Sequence, residues 1–272
     1  MKKAIITAIS IIVCLILSVA VFSESICSFA AGIIFKEKVS SAVVTDTTSA
    51  ATLKKGDYVY FGKFNGERIL WKVIDIDDGC PVLLSERAIC FMPFNSGEEV
   101  VAGSSSWENS TIRTWLNSDS NETYTFECTP ENRIKNDTVT VDDGFLCDEN
   151  FTAAEIEAIS ENGDMISLPS KKMISSLPKA DRQKSPTVYA VTNDPSPYLH
   201  LRKTCWYWTL TPISTNTSSV TAVTTAGAFY KSISNDGLMG VCPVTTLESA
   251  EISVCGGDGS VGTPYVFDSE VE

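Results

Sequence analysis

The sequence predicts an α+β fold with small sheets, two or three short helices and much loop. Short β-rich runs are punctuated by Gly-bearing turns, capping signals open several short amphipathic stretches, and no repeat of fixed period occurs. Four of the five tryptophans sit in two patches, Ser105–Asn117 and Cys205–Pro212. Buried aromatics dominate core energetics, so these patches are expected to build one core.

The chain opens with Lys2 and Lys3, then an apolar run from Ala4 to Phe22, then the small-x-small triplet Ser28-Phe29-Ala30. That order predicts a secretion signal over 1–30, cleaved after Ala30. The alternative is an uncleaved anchor, because about 20 apolar residues can span a bilayer. Neither Cys14 nor Cys27 lies in a lipobox-like context. The expected location is secreted or cell-surface, with a membrane tether if the segment is retained. Residues 31–54 read as a flexible spacer, since Val39 to Ala51 within them is rich in Ser, Thr, Val and Ala with no helical period. The domain is expected over 55–267, with a tail over 268–272.

Within the domain, Tyr58–Phe61 and Arg68–Ile76 read as strands, with Gly62 to Gly66 as the turn between them. Asp78-Gly79 is a hairpin signal, and Pro81–Ser85 is the return strand. Asp75, Asp77 and Glu86 stand at calcium-loop positions one, three and twelve. The glycine, however, falls one place early, and Val82-Leu83-Leu84 fills the ligand stretch. A hairpin accounts for every residue there, so no metal is expected.

The first tryptophan patch reads as a helix. Ser105 with Glu108 fits a capping box, with Asn109 and Ser110 as alternative caps, and Ile112, Trp115 and Leu116 share a face. Glu108 and Arg113 read as a cap and a structural ion pair. Ser118–Asn150 reads as a polar insertion bracketed by Cys128 and Cys147, which could form a disulfide. Thr152 and Glu155 make a second capping box, with Phe151 and Ile156 at staple positions. Ser170–Leu177 reads as a third helix, stopped by Pro178, and Lys179–Pro197 as loop. Val220–Val223, Ala226–Tyr230 and Met239–Val244 are strand-like, with a turn at Asp236-Gly237. Trp206 and Trp208 are expected on one strand face and Tyr207 on the other.

Net charge is −13, or −14 once Lys2, Lys3 and Glu24 leave with the signal. An acidic chain lacks the basic footprint of a nucleic-acid binder and is repelled by an anionic membrane. No nucleic acid and no specific lipid are therefore expected as partners. Cys80, Cys90, Cys128, Cys147, Cys205, Cys242 and Cys255 remain in the mature part, an odd set with no C-x-x-C. His200 is the one histidine of the chain. No zinc site and no cofactor are expected. A cysteine nucleophile activated by His200, with Cys205 nearest in sequence, is conceivable, but a loop histidine packed beside Tyr198 is the plainer reading.

An ordered set of motifs carries a family resemblance. It runs through Gly56–Gly62, Ile69–Val73, Trp107–Asn117, Trp206–Pro212, Gly240–Pro243, and Gly257–Ser260 with Pro264-Tyr265. Together they resemble the secreted bacterial domain of unknown function family 6273. That family resembles the formylglycine-generating-enzyme and C-type-lectin-like folds. The resemblance implies a C-type-lectin-like domain. This chain departs from the family pattern at two places. It has Trp208-Thr209-Leu210-Thr211-Pro212 for Trp-Leu-Arg-Ser-Pro, and Cys242 for the arginine of Gly-Val-Arg-Pro. Formylglycine-generating enzymes use a specific cysteine pair and a metal, and Cys205, Cys242 and Cys255 do not fit that motif. No catalytic residue is carried over.

The expected function is an extracytoplasmic bacterial binding domain for a surface glycan or protein ligand. The alternative is an enzyme, either a remote oxidase-like relative or a hydrolase. Recognition is expected on the loops Lys179–Leu201 and Ile213–Gly237, with Tyr198, His200, Tyr207 and Tyr230 as ligand-binding residues.

Overall fold

The computed structural model describes residues 48–97, 103–128, 138–161, 163–193 and 203–268. The stretch expected to be a signal, most of that expected to be a spacer, Tyr198 and His200 lie outside them. Among the described residues no helix is long and apolar enough to cross a membrane. The architecture is α+β, mostly sheet with a few short helices.

The chain enters as β1 (Ser49–Thr52), β2 (Tyr58–Phe64), β3 (Glu67–Asp77), β4 (Cys80–Ser85) and β5 (Arg87–Ala88). Ordered structure thus begins inside the stretch read as spacer, and Leu53 is already buried. A 3-10 turn at Trp107–Asn109 leads into α1 (Thr111–Leu116), followed by β6 (Tyr124–Glu127) and β7 (Thr138–Val141). Next come α2 (Ala153–Glu157), β8 (Ile166–Ser167), α3 (Lys171–Ser176), β9 (Ser185–Pro186) and α4 (Val188–Thr192). The last third is β10 (Tyr207–Ile213), β11 (Asn216–Val223), β12 (Phe229–Ile233), β13 (Val244–Thr246), β14 (Glu251–Gly256) and β15 (Tyr265–Phe267).

The main sheet runs β1-β14-β15-β2-β3-β4-β13-β8, and a second sheet runs β10-β11-β12. The two ends of the domain meet in the main sheet, because β15 pairs in parallel with β2. The hairpin between β3 and β4 turns at Asp78 (φ 48°) and Gly79 (φ 88°). Positive φ at both positions suits the right-handed twist of the flanking strands. That geometry places Cys80 opposite Asp77 and leaves no calcium-type loop. The turn between β2 and β3 is made by Asn65 and Gly66. Gly62 instead lies inside β2, where the register with β3 shifts.

The core has two parts. One gathers Trp71, Trp115 and Trp208 with Phe61, Phe64, Phe94, Phe145 and Phe151. The other gathers Ile74, Leu84, Phe91, Ile174, Tyr207, Val223 and Cys242. Alternation along β4 sends Leu83 to the first and Val82 and Leu84 to the second, so β4 is buried on both faces. This is why Val82-Leu83-Leu84 is an unbroken apolar run. Ser118–Asn150 is less of an insertion than its polarity suggests. Phe126, Val141 and Phe145 from it lie in the tryptophan core. Cys147 carries a free thiol, so the proposed pairing with Cys128 is not made.

The caps follow local chemistry. Ser110 Oγ accepts from the Arg113 amide at 3.3 Å and caps α1, while Ser106 ahead of the 3-10 turn makes no side-chain cap. The Ser105–Glu108 box is therefore displaced by the Ser110 alternative. Thr152 and Glu155 form the reciprocal capping box of α2. Ser170 caps α3 as expected, and Thr187 caps α4, a helix inside a stretch read as loop.

Candidate functional site

The second sheet positions the candidate site. In β10, Tyr207 pairs with Val223, and Trp208 with Ala222. In β12, Phe229 continues the first row opposite Val223, and Tyr230 the second opposite Ala222. Side chains alternate along a strand, so each row lies on its own face. Tyr207 belongs to one part of the core and Trp208 to the other.

Tyr207 therefore needs correction as a ligand residue. It is 0% exposed, and its hydroxyl donates to the Arg182 carbonyl at 2.9 Å. The alternation of Trp206, Tyr207 and Trp208 holds, but both faces of β10 are covered over Tyr207–Thr209, so neither face is a surface there. Tyr198 and His200 lie outside the described residues. Tyr230 is the predicted binding residue that the structure leaves accessible, at 58% exposure.

Tyr230 does not stand alone. Its ring meets Trp206 edge-on, with centroids 5.5 Å apart at 71°. Trp206 is half-buried, as Trp107 is, and differs from the other tryptophans in its indole N–H. Trp71 donates its indole N–H to the Phe61 carbonyl, Trp107 to Asp164, Trp115 to the Asp143 carbonyl and Trp208 to the Met92 carbonyl. No acceptor for the Trp206 indole occurs among the described residues. A buried Trp usually finds a partner, so an N–H with no acceptor among the described residues, beside an exposed Tyr, suits a solvent-facing place. The sequence places Trp206 in the core with the others, and it does pack against the tryptophan cluster, from the cluster's edge. Its neighbours in sequence carry no signal that separates it from Trp208.

On the other side of β12, Phe229 is flanked by two cations. Lys171 Nζ lies 5.4 Å from its centroid and the Arg182 guanidinium 5.8 Å. Arg182 is held in place by donating to the Leu177 and Ser175 carbonyls. The turn between β11 and β12 packs against the same segment, because a Cβ on Gly227 would strike the Lys179 carbonyl.

The polar groups beneath are committed to structure. Lys184 is 1% exposed and pairs with Glu86 at 3.0 Å. Cys242 is fully buried beside them, and burial pushes its thiol up to about 12, with the Lys184 charge opposing only part of the shift. At neutral pH it is an unreactive thiol, since the thiolate is the nucleophile. Desolvation likewise raises Cys90, near Cys242. Arg113 makes its main ion pair with Asp164 at 2.7 Å, while Glu108 is 4.0 Å away. Asp164 also accepts from the Trp107 indole, so this group fixes the 3-10 turn and α1.

A separate open cavity of about 380 Å³ lies where α2 meets the β13–β14 connection and β15. Besides Glu157, its carboxylates are engaged internally: Glu251 with Thr52, Glu248 with the Glu161 amide, and Asp268 with Thr48. Neither Tyr207 nor Tyr230 lines it. Among the described residues no cluster of three or more His, Cys, Asp or Glu side chains is placed to hold a metal.

The model of a family described as Domain of unknown function (DUF6273) matches residues 81–249. The chain belongs to the DUF6273 family. The match contains the whole β10–β12 sheet and both tryptophan patches. β1, β2, β3, β14 and β15 lie outside it, although they complete the main sheet. No curated protein and no solved structure matches the chain.

Proposed function

We propose that this DUF6273 domain is an extracytoplasmic binding module with a C-type-lectin-like fold, and that it recognises its ligand at the β11–β12 hairpin and the adjoining segments. The carrying observation is the Trp206–Tyr230 pair, a half-buried indole whose N–H has no acceptor among the described residues, set edge-on to an exposed phenol ring. Flat aromatic faces with polar edges take sugar rings and amphipathic side chains alike, at low conformational cost. A surface glycan or a protein ligand fits this geometry, and the aromatic pair with its N–H donor favours the glycan.

Location supports the reading. The pair stands on loops and an edge strand over a stiff double-faced core, the usual arrangement for recognition surfaces. Export rests on the basic, apolar and small-x-small order of residues 1–30.

Loop exchange tests the proposal. Replacing residues 179–201 and 213–237 by those of another DUF6273 domain should move preference on a combined glycan and protein array while leaving folding intact. Unchanged preference in a folded chimera contradicts it. If His200→Ala removed a turnover activity from the folded protein, the module would be an enzyme.

A further inference from the structure

We infer that the ligand of the hairpin surface is a polyanionic polysaccharide, a class set by the cations gathered around β12; this rests on the binding reading above. The chain holds 34 Asp and Glu against 21 Lys and Arg, so any surface patch should be acidic. The hairpin region is the reverse. Lys171 and Arg182 flank Phe229. Lys179 packs against Gly227 at the hairpin turn. Lys203 adjoins Thr204, whose hydroxyl donates to the Thr225 carbonyl in the same turn at 3.5 Å. Lys231 follows Tyr230 on β12 and projects to the Phe229 side.

These cations are not spent on internal pairs. Lys171, Lys179, Lys203 and Lys231 are exposed, and none of the ion pairs among the described residues uses them or Arg182. Asp181, the acid next to Arg182, is neutralised by Lys72 at 3.0 Å. A concentrated positive patch on an otherwise negative molecule costs self-repulsion unless it meets an anion.

The shape of the patch selects among anions. β12 is the terminal strand of its sheet. Tyr230 points to one side of it, and Phe229 and Lys231 to the other. A narrow chain following this edge meets the aromatic pair and the lysines together. A flat anionic membrane would also face the acidic remainder of the molecule, at −13 overall, and be repelled. Sugar rings suit the Trp206–Tyr230 pair, and acidic substituents on the polymer suit the lysines.

The test uses the full chain with dextran sulfate, unmodified dextran and polyglutamate as probes. Dextran sulfate should bind at least about tenfold more tightly than dextran, and lose at least about tenfold between 50 and 300 mM salt, as counterion release requires. Lys171→Gln/Lys179→Gln/Lys231→Gln should lose about tenfold or more. The control Lys54→Gln/Lys63→Gln, which removes exposed lysines elsewhere, should stay within about twofold. Absence of dextran sulfate binding, insensitivity to salt, or equal loss in the control overturns the inference. Polyglutamate competing as well as dextran sulfate reduces the effect to charge alone and overturns the polysaccharide class. If the triple variant loses nothing while Tyr230→Ala lowers array binding, the charge inference fails and the binding reading stands. If neither substitution changes any binding, both fail.

Discussion

The Glu155 carboxylate accepts a hydrogen bond from the Gly62 amide at 2.7 Å, linking the cap of α2 to the irregular point of β2. The same carboxylate takes the Thr152 amide at 2.9 Å. Gly62 has φ +65°, and the Phe151 ring lies where its Cβ would be. One acidic side chain thus satisfies a helix end and a buried strand amide together. Glu155→Ala should destabilise the fold by about 1–3 kcal/mol, the cost of orphaning a buried donor and losing the cap. Chemical denaturation measures it, and a change under about 0.5 kcal/mol would mean water replaces the carboxylate. Gly62→Ala should be at least as costly, from backbone strain and the clash with Phe151.

Trp115 is fully buried, with its ring 5.5 Å from Phe145 and edge-on to Phe64 at 5.8 Å. Trp115→Ala should cost about 3–5 kcal/mol in the same denaturation experiment. A loss under about 1 kcal/mol would contradict the core assigned here.

Two aspartates should respond to pH in opposite senses. Burial raises Asp236, against the donors Leu238 N and Ser232 Oγ. Its folded form holds the proton more tightly than the unfolded chain. The stability it contributes is therefore full below the ordinary value of 3.8 and lost as pH rises through the raised one. Burial would raise Asp164 too, but Arg113 and Trp107 outweigh it and the net shift is downward. Its stabilisation is present above 3.8 and lost as pH falls through the depressed value. Asp236→Asn should thus gain on the wild type between pH 4 and 7, while Asp164→Asn should fall behind by about 1–3 kcal/mol at pH 7. Unfolding free energies across that range check both, and parallel profiles would contradict the assignment.

Local signals were the legible part of this fold. Asp78-Gly79, the Thr152–Glu155 box and the Ile112, Trp115, Leu116 face are each set by residues within a turn or two. Long-range pairing was not legible. Tyr207 was read as a surface residue because strand alternation tells which side a residue faces, not whether that side is covered. Both sides of β10 are over Tyr207–Thr209. Ser110 displaced Ser105 as the cap because the intervening 3-10 turn ends one step before α1 begins. The half of the candidate site in Tyr230 was visible as an aromatic in a turn-rich strand. The half in Trp206 was not, because its distinction is an N–H without an acceptor among the described residues, a property of three dimensions alone.

Export makes its own prediction. Protein made in a secreting host should begin at Ala31 by N-terminal sequencing. Intact Met1 in a membrane fraction would assign residues 1–30 to an anchor.

The most direct test of the central claim is the affinity of Tyr230→Ala and Trp206→Phe for whichever array ligand the wild type binds best. The account predicts a loss of about tenfold or more in each, about 1.4 kcal/mol, as expected of aromatic anchors. Melting temperature should be nearly unchanged for Tyr230→Ala, because that side chain is already mostly in solvent. Wild-type affinity in both folded variants would contradict the claim that the β11–β12 hairpin is the recognition surface.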